Sequence, residues 1–132
     1  MTKRQADRPG FSRHKRQKSE QKGRFAESLA EVILRLKGYR ILARRWKCSH
    51  GEVDIIARQK DTLIFVEVKA RNSTQAATEA VTPQNRRRIE RAASAFIQRK
   101  RLNPVPAFRF DIFAVATWRD WIHKKDAWRS GD

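Results

Sequence analysis

Along this chain the spacing of apolar positions changes from helical to alternating and back, and each change marks an element. From Arg24 to Lys37, Phe25, Leu29, Val32, Ile33 and Leu36 recur at helical spacing, and Gly38 stands where a left-handed C-terminal cap is expected. This pattern predicts a first helix. Tyr39 to Cys48, Gly51 to Arg58 and Thr62 to Arg71 then read as three strands, separated by turn-forming residues at Ser49-His50-Gly51 and Gln59-Lys60-Asp61. Such tight connections predict an antiparallel meander. Thr82-Pro83 fits an N-cap followed by proline at the first helical position, and Ile89, Ala93, Phe96 and Ile97 give the apolar stripe of a second helix ending near Arg101. Phe108 to Thr117 reads as a fourth strand and Trp121 to Trp128 as a short fifth at the edge. The fold class predicted is mixed α/β, with a central mixed sheet and helices packed against it.

The length of 132 residues suits one domain with a modest core. Charge changes the picture more: 31 Lys and Arg against 14 Asp and Glu give +17, which predicts attraction to a polyanion, nucleic acid first. Met1 to Lys22 holds eight of the basic residues, two acids and almost nothing apolar, so residues 1–22 are expected to form a disordered basic arm and 23–132 the folded domain. The arm carries an excess of six, so +17 less six leaves +11 on the remainder, and the folded part is itself strongly basic. No uncharged apolar run approaches the length of a bilayer span, and the start is polar rather than signal-like, so the expectation is a soluble, cytoplasmic protein. A lone cysteine, Cys48, allows no internal disulfide, and His14, His50 and His123 are too scattered to make a zinc cluster with it.

The chemistry concentrates in the middle strands. Alternation puts Glu67 and Lys69 on one face of their strand, and Glu52 and Asp54 on one face of the strand before it. A turn centred on Lys60-Asp61 pairs Asp54 with Glu67 and Glu52 with Lys69, which brings all four to one face. Facing carboxylates repel, so the arrangement calls for a cation. One answer is a divalent metal held by the hard oxygens of Asp54 and Glu67, with Lys69 beside it to stabilise charge on phosphorus or orient water. Glu27, at the edge of the first helix's apolar arc, is placed to join them. The other answer is a solvated face with a Glu52–Lys69 cross-strand ion pair, and spacing leaves both open.

GEVDIIARQKDTLIFVEVKAR (51–71), preceded by GYRILARRW (38–46) and followed by EAVTP (79–83) and RFDIFAV (109–115), resembles the YraN-like family of small bacterial proteins over roughly residues 23 to 128. The resemblance implies a restriction-endonuclease-like fold, similar to archaeal Holliday junction resolvases. Their pattern is an acidic residue on the first helix, an Asp, and a Glu-x-Lys. On that pattern Glu27, Asp54, Glu67 and Lys69 would be the catalytic set.

The function expected is therefore a metal-dependent DNA endonuclease acting on branched or structured DNA. Mg²⁺ or Mn²⁺ would be held by Asp54, Glu67 and the Val68 carbonyl, and a homodimer would serve symmetric cutting. The alternative is a non-catalytic nucleic-acid-binding module, for DNA or RNA, on the same fold. Arg86, Arg87, Arg88 and Arg91 on the second helix form a candidate phosphate track, which Arg44, Arg45, Lys47 and Arg71 extend. Asp111 is expected in an ion pair with Arg109, and the tryptophans in packing of the edge strand.

Overall fold

The computed structural model describes residues 9–131, apart from the side chains of 9–19. Its elements in chain order are α1 (Pro9–Leu36), β1 (Arg40–Cys48), β2 (Gly51–Gln59), β3 (Thr62–Ala70), α2 (Thr74–Glu79), α3 (Pro83–Arg99), β4 (Ala107–Val115) and β5 (Trp121–Trp128). The five strands form one sheet in the order β1-β2-β3-β4-β5. β1, β2 and β3 are the antiparallel meander, β4 joins β3 in parallel after the crossover through α2 and α3, and β5 returns antiparallel at the edge. The sheet is thus mixed and flanked by helices, as a nuclease-like fold requires. Among the described residues no helix is long and apolar enough to cross a membrane.

Alternation on β3 sorts the core into two layers. Leu63 and Phe65 pack toward α3 with Ile89, Ala92, Ala93 and Phe96, while Ile64, Val66 and Val68 pack toward α1 with Ala26, Ala30 and Leu34. β3 is buried along most of its length because it is the central strand, covered on both faces. Phe65 lies at its middle, fully buried, with Phe96, Phe108 and Phe110 around its ring. Truncating it to alanine would cost about 3–5 kcal/mol. α3 begins where its capping signal stands: the Thr82 side chain accepts from the Asn85 N–H, and Asn85 reciprocates to the Thr82 N–H.

Two expectations are corrected. The face of α1 buried on the sheet is Ala26, Ala30 and Leu34; of the expected stripe Leu29 and Ile33 pack against it partly buried, whereas Phe25, Val32 and Leu36 are exposed. Small residues let the helix approach the sheet closely, and apolar size alone does not choose the buried face. The helix also starts at Pro9, well before Arg24. Its upstream part is rich in Arg, Lys, Gln and Glu, all good helix formers. Of the expected disordered arm, Met1–Arg8 lie outside the described residues, and 9–22 are helical. Of the tryptophans, Trp121 and Trp128 stack on Phe113 and Phe110, and Trp46 packs edge-on to Phe96.

Candidate active site

The expected hairpin register is the observed one: Gln59 pairs with Thr62 and Ile55 with Val66. The ladder between β2 and β3 runs no further than Ile55–Val66, while β3 stays paired with β4 through Ala70. The two strands fork there, and Asp54 fills the fork. Its Oδ2 accepts the Val68 N–H at 2.8 Å, so a carboxylate takes the place of a ladder carbonyl.

Alternation also breaks on both strands beside the fork. Val53 packs toward α3 but Ile55, two residues on, packs toward α1. On β1 the pairing skips Arg45 between Arg44–Ile55 and Trp46–Val53, and Arg45 takes a left-handed φ of 50°. The two neighbours Arg44 and Arg45 can therefore reach the same helix. Arg45 Nε lies 2.8 Å from Glu27 Oε1, and Arg44 lies 3.6 Å from Glu27 and 3.0 Å from Glu31. Glu27 and Glu31 are both largely covered by these arginines.

Glu67 and Lys69 project from β3 as neighbours on one face, and Lys69 Nζ is 3.2 Å from Glu67 Oε2. Burial pushes the Asp54 carboxyl up; its contacts with Glu67 and the Val68 N–H oppose that rise, and the nearby charge of Glu27 adds to it. For Glu67 burial again comes first, and the charge and hydrogen bond of Asp54 reinforce it. Together they push the carboxyl up to about 8 against the opposing pull of Lys69. Two carboxylates, Glu67 buried and Asp54 half-buried, thus share one ammonium. A cleft of about 550 Å³, lined by Lys22, Val68, Lys69, Arg71 and Asn72 among others, opens beside them.

The structure brings together Glu27, Asp54, Glu67 and Lys69 of the expected set, with Glu27 reaching Asp54 through its charge and through Arg45. Glu52 does not join them on one face: it pairs at 3.3 Å with Arg88. The arginines also divide. Arg86 lies over the Trp128 ring, Arg88 holds Glu52, and Arg91 Nε donates to the His50 carbonyl. Arg87 is exposed, and Arg71 lines the cleft. Arg44 and Arg45 are held by acids of α1 rather than standing free beside the arginines of α3.

Sequence reasoning missed how far the Asp111 network extends. Asp111 is fully buried and takes Arg109 at 2.9 Å, as expected, but also His123 Nε2 at 2.7 Å and the Asp126 N–H at 3.0 Å. His123 Nδ1 in turn meets Lys37 Nζ at 2.8 Å, and Arg109 meets the Tyr39 hydroxyl. These contacts join the end of α1 to the edge strand β5. A histidine twelve residues from an aspartate carries no local signal of such a bond.

As a donor set, two hard carboxylates and a neighbouring backbone carbonyl suit Mg²⁺ or Mn²⁺ better than softer metals. Among the described residues no three His, Cys, Asp or Glu side chains converge on one point, so such an ion would depend on backbone, water or substrate oxygens as well. Burial raises both carboxyls and the Asp54 charge raises Glu67 further, and a divalent cation would offset both effects.

The family model described as "Uncharacterised protein family UPF0102", which is the YraN-like family, matches residues 26–115. A UPF0102 protein of Mesorhizobium japonicum is 46% identical over 122 residues, covering 92% of this chain and 95% of its own. One from Paramagnetospirillum magneticum is 47% identical over 117 residues, 86% of this chain and 91% of that one. One from Brucella canis is 51% identical over 94 residues, 71% and 75% of the two chains. The matched span contains Glu27, Asp54, Glu67 and Lys69.

Proposed function

The chain belongs to the UPF0102 family, and on the geometry of its buried carboxylates we propose that it is a metal-dependent endonuclease. It hydrolyses phosphodiester bonds of DNA, with branched or otherwise structured DNA as the preferred form. The observation that carries this reading is the Asp54–Glu67 pair, one acid half-buried and one buried, both raised in pKa, with a single ammonium between their charges and neutrality.

Asp54, Glu67 and the Val68 carbonyl would hold Mg²⁺ or Mn²⁺. When bound, the ion supplies Lewis-acid stabilisation of a phosphate oxygen and acidifies bound water. Asp54 is oriented for this by the Val68 N–H, which fixes one oxygen. Lys69, anchored by Glu67, faces the developing negative charge on the phosphate. Glu27 is a positioning residue: its charge adds negative potential at Asp54, which favours a cation there, and Arg45 holds its carboxylate in place. Arg71, Arg87, Arg88 and Arg91 contribute to the basic surface that attracts the DNA backbone. Symmetric cutting of two strands would require two copies, related by a two-fold axis. Chromosomal DNA as substrate would place the protein in the cytoplasm.

A second reading is favoured by one specific observation. With its carboxyl raised to about 8, Glu67 retains its proton at neutral pH and hydrogen-bonds Asp54, which satisfies the pair without a metal. On that reading the protein is a nucleic-acid-binding module whose carboxylates are structural.

Cleavage of end-labelled four-way junction, flap, single-stranded and linear duplex DNA, and of matched RNA, separates the two. Wild type and Glu67→Ala would be compared in Mg²⁺, Mn²⁺ and EDTA. Metal-dependent cutting by the wild type alone is the expected result. Binding by both proteins with cutting by neither would leave the second reading standing in place of the first.

A further inference from the structure

The β1–β2 turn packs against α3 without side-chain padding. A β-carbon built on Gly51 would lie 2.3 Å from the Arg88 carbonyl oxygen and 2.8 Å from the Ala92 nitrogen, so only glycine lets the two backbones meet. Arg91 Nε donates to the His50 carbonyl at 2.9 Å, which ties the turn to the helix a second time. Beside this junction is a cleft of about 440 Å³ lined by Lys47, His50, Glu52, Gln84, Arg88 and Arg91 together with their neighbours. Three cations face one carboxylate, and that carboxylate is held by Arg88.

We propose that this cleft is a second phosphate site, which takes one backbone phosphodiester of the nucleic-acid strand whose scissile bond lies at Asp54 and Glu67. The placement relative to the scissile bond rests on the proposed nuclease function; the phosphate site does not.

The chemistry favours phosphate over other anions. With Nε engaged by His50, the Arg91 guanidinium is fixed in orientation, and no described bond engages its terminal nitrogens, which can fork onto two phosphate oxygens. Lys47, opposite Glu52 in the β1–β2 register, supplies a point charge, and the Gln84 amide supplies neutral donors. The Arg88–Glu52 pair is about half exposed on both sides, at 46% and 48%, so water weakens it and Arg88 can exchange Glu52 for phosphate. Gln84, Arg88 and Arg91 belong to α3, and Gly51 and Glu52 lead along β2 to Asp54.

The spacing fits one strand of a duplex. Gly51 is three steps from Asp54 along β2, about 10 Å at roughly 3.3 Å per residue. That separation is short enough for one nucleic-acid strand to span the cleft and the carboxylate pair.

The test is the salt dependence of binding to duplex DNA by the full chain in EDTA. Wild type, Lys47→Ala, Arg91→Ala, Arg91→Lys and, as a control of equal charge outside the cleft, Arg119→Ala would be compared. Lys47→Ala and Arg91→Ala should each lower the slope of log affinity against log salt by about 1. Arg91→Lys should retain more of the slope than Arg91→Ala, and Arg119→Ala should leave it at the wild-type value. An unchanged slope in Lys47→Ala and Arg91→Ala, or an equal fall in all three alanine variants, would overturn the proposal. So would a cleft that binds inorganic phosphate, lost in Lys47→Ala, while the DNA slope stays the same, because the ligand would then be a free anion. Cleavage run in parallel keeps the two ideas apart. No cutting with a lowered slope removes the nuclease and leaves the phosphate site, whereas cutting with an unchanged slope does the reverse.

Discussion

Asp54 and Val68 are joined where β2 and β3 part: a carboxylate oxygen of Asp54 accepts the Val68 N–H at 2.8 Å. One oxygen of Asp54 is thereby fixed, and the other is left to Glu67 or a cation. Asp54→Asn keeps an acceptor for that N–H but removes the charge. It should fold with near-wild-type stability and lose cleavage by about 10²-fold or more, the scale seen when one preorganised electrostatic group is removed. Asp54→Ala strands the N–H as well and should lose a further ~1–3 kcal/mol of stability. Thermal melts and single-turnover cleavage on both variants distinguish the two effects.

Glu67 sets a pH dependence whose sign is fixed by its raised pKa. Its carboxyl rests at about 8 in the folded protein against an ordinary 4.5, so between those values the native state holds a proton that the unfolded chain has released. Stability therefore falls as pH rises from about 4.5 to about 8 and is level above that. Glu67→Gln should flatten this decline, and Mn²⁺ or Mg²⁺ should raise the melting temperature of the wild type more at pH 8 than at pH 6. Melts across that range, with and without metal, read both. An equal metal effect at the two pH values would separate Glu67 from the cation.

Lys69 stands 3.2 Å from Glu67 and is largely covered. Lys69→Met keeps the length of the side chain without its charge. Cleavage should drop by about 10²-fold or more, and the Glu67 carboxyl should rise further because the Lys69 charge opposes that rise. The pH at which metal begins to stabilise the variant should move up accordingly. Metal titrations followed by melting temperature at several pH values supply the measurement.

The Asp111 network is distant in role from the cleavage chemistry. Burial raises the Asp111 carboxyl, but the hydrogen bonds from His123 and Arg109 outweigh it and hold the group below its ordinary range. A depressed carboxyl contributes stability that is present above about pH 4 and is lost as pH falls through the folded value. Asp111→Ala leaves Arg109 and His123 without their buried partner and should cost roughly 3 kcal/mol or more. Its acid-unfolding profile should lose the low-pH contribution of this group, while the metal-induced rise in melting temperature should persist. Disappearance of that rise would show the network and the carboxylate pair to be one unit.

The strands and their register were legible because alternation and short turns are local. Gln59–Thr62 closes the turn at Lys60-Asp61, with Lys60 in the left-handed region, as the spacing required. Thr82-Pro83 announced α3 for the same reason. The buried face of α1 was not legible: Phe25 and Val32 look like core residues, yet the sheet accepts Ala26 and Ala30 because they allow close approach. Glu52 looked equivalent to Asp54 until the break in alternation separated them. That break lies opposite Arg45, which takes a positive φ and pairs with Glu27 of α1, and contacts of this tertiary kind leave no local pattern in the sequence. The short helix α2 gave no periodic signal in six residues, and it rests on the Ser73 side chain accepting from the Ala76 N–H.

Gly51 makes the hairpin and α3 a single lever. Where side chains separate two elements, a displacement is absorbed by rotamer changes, but here main chain presses on main chain and nothing between them can yield. A push on α3 is therefore transmitted to β2 and arrives, three residues on, at the fork that holds Asp54.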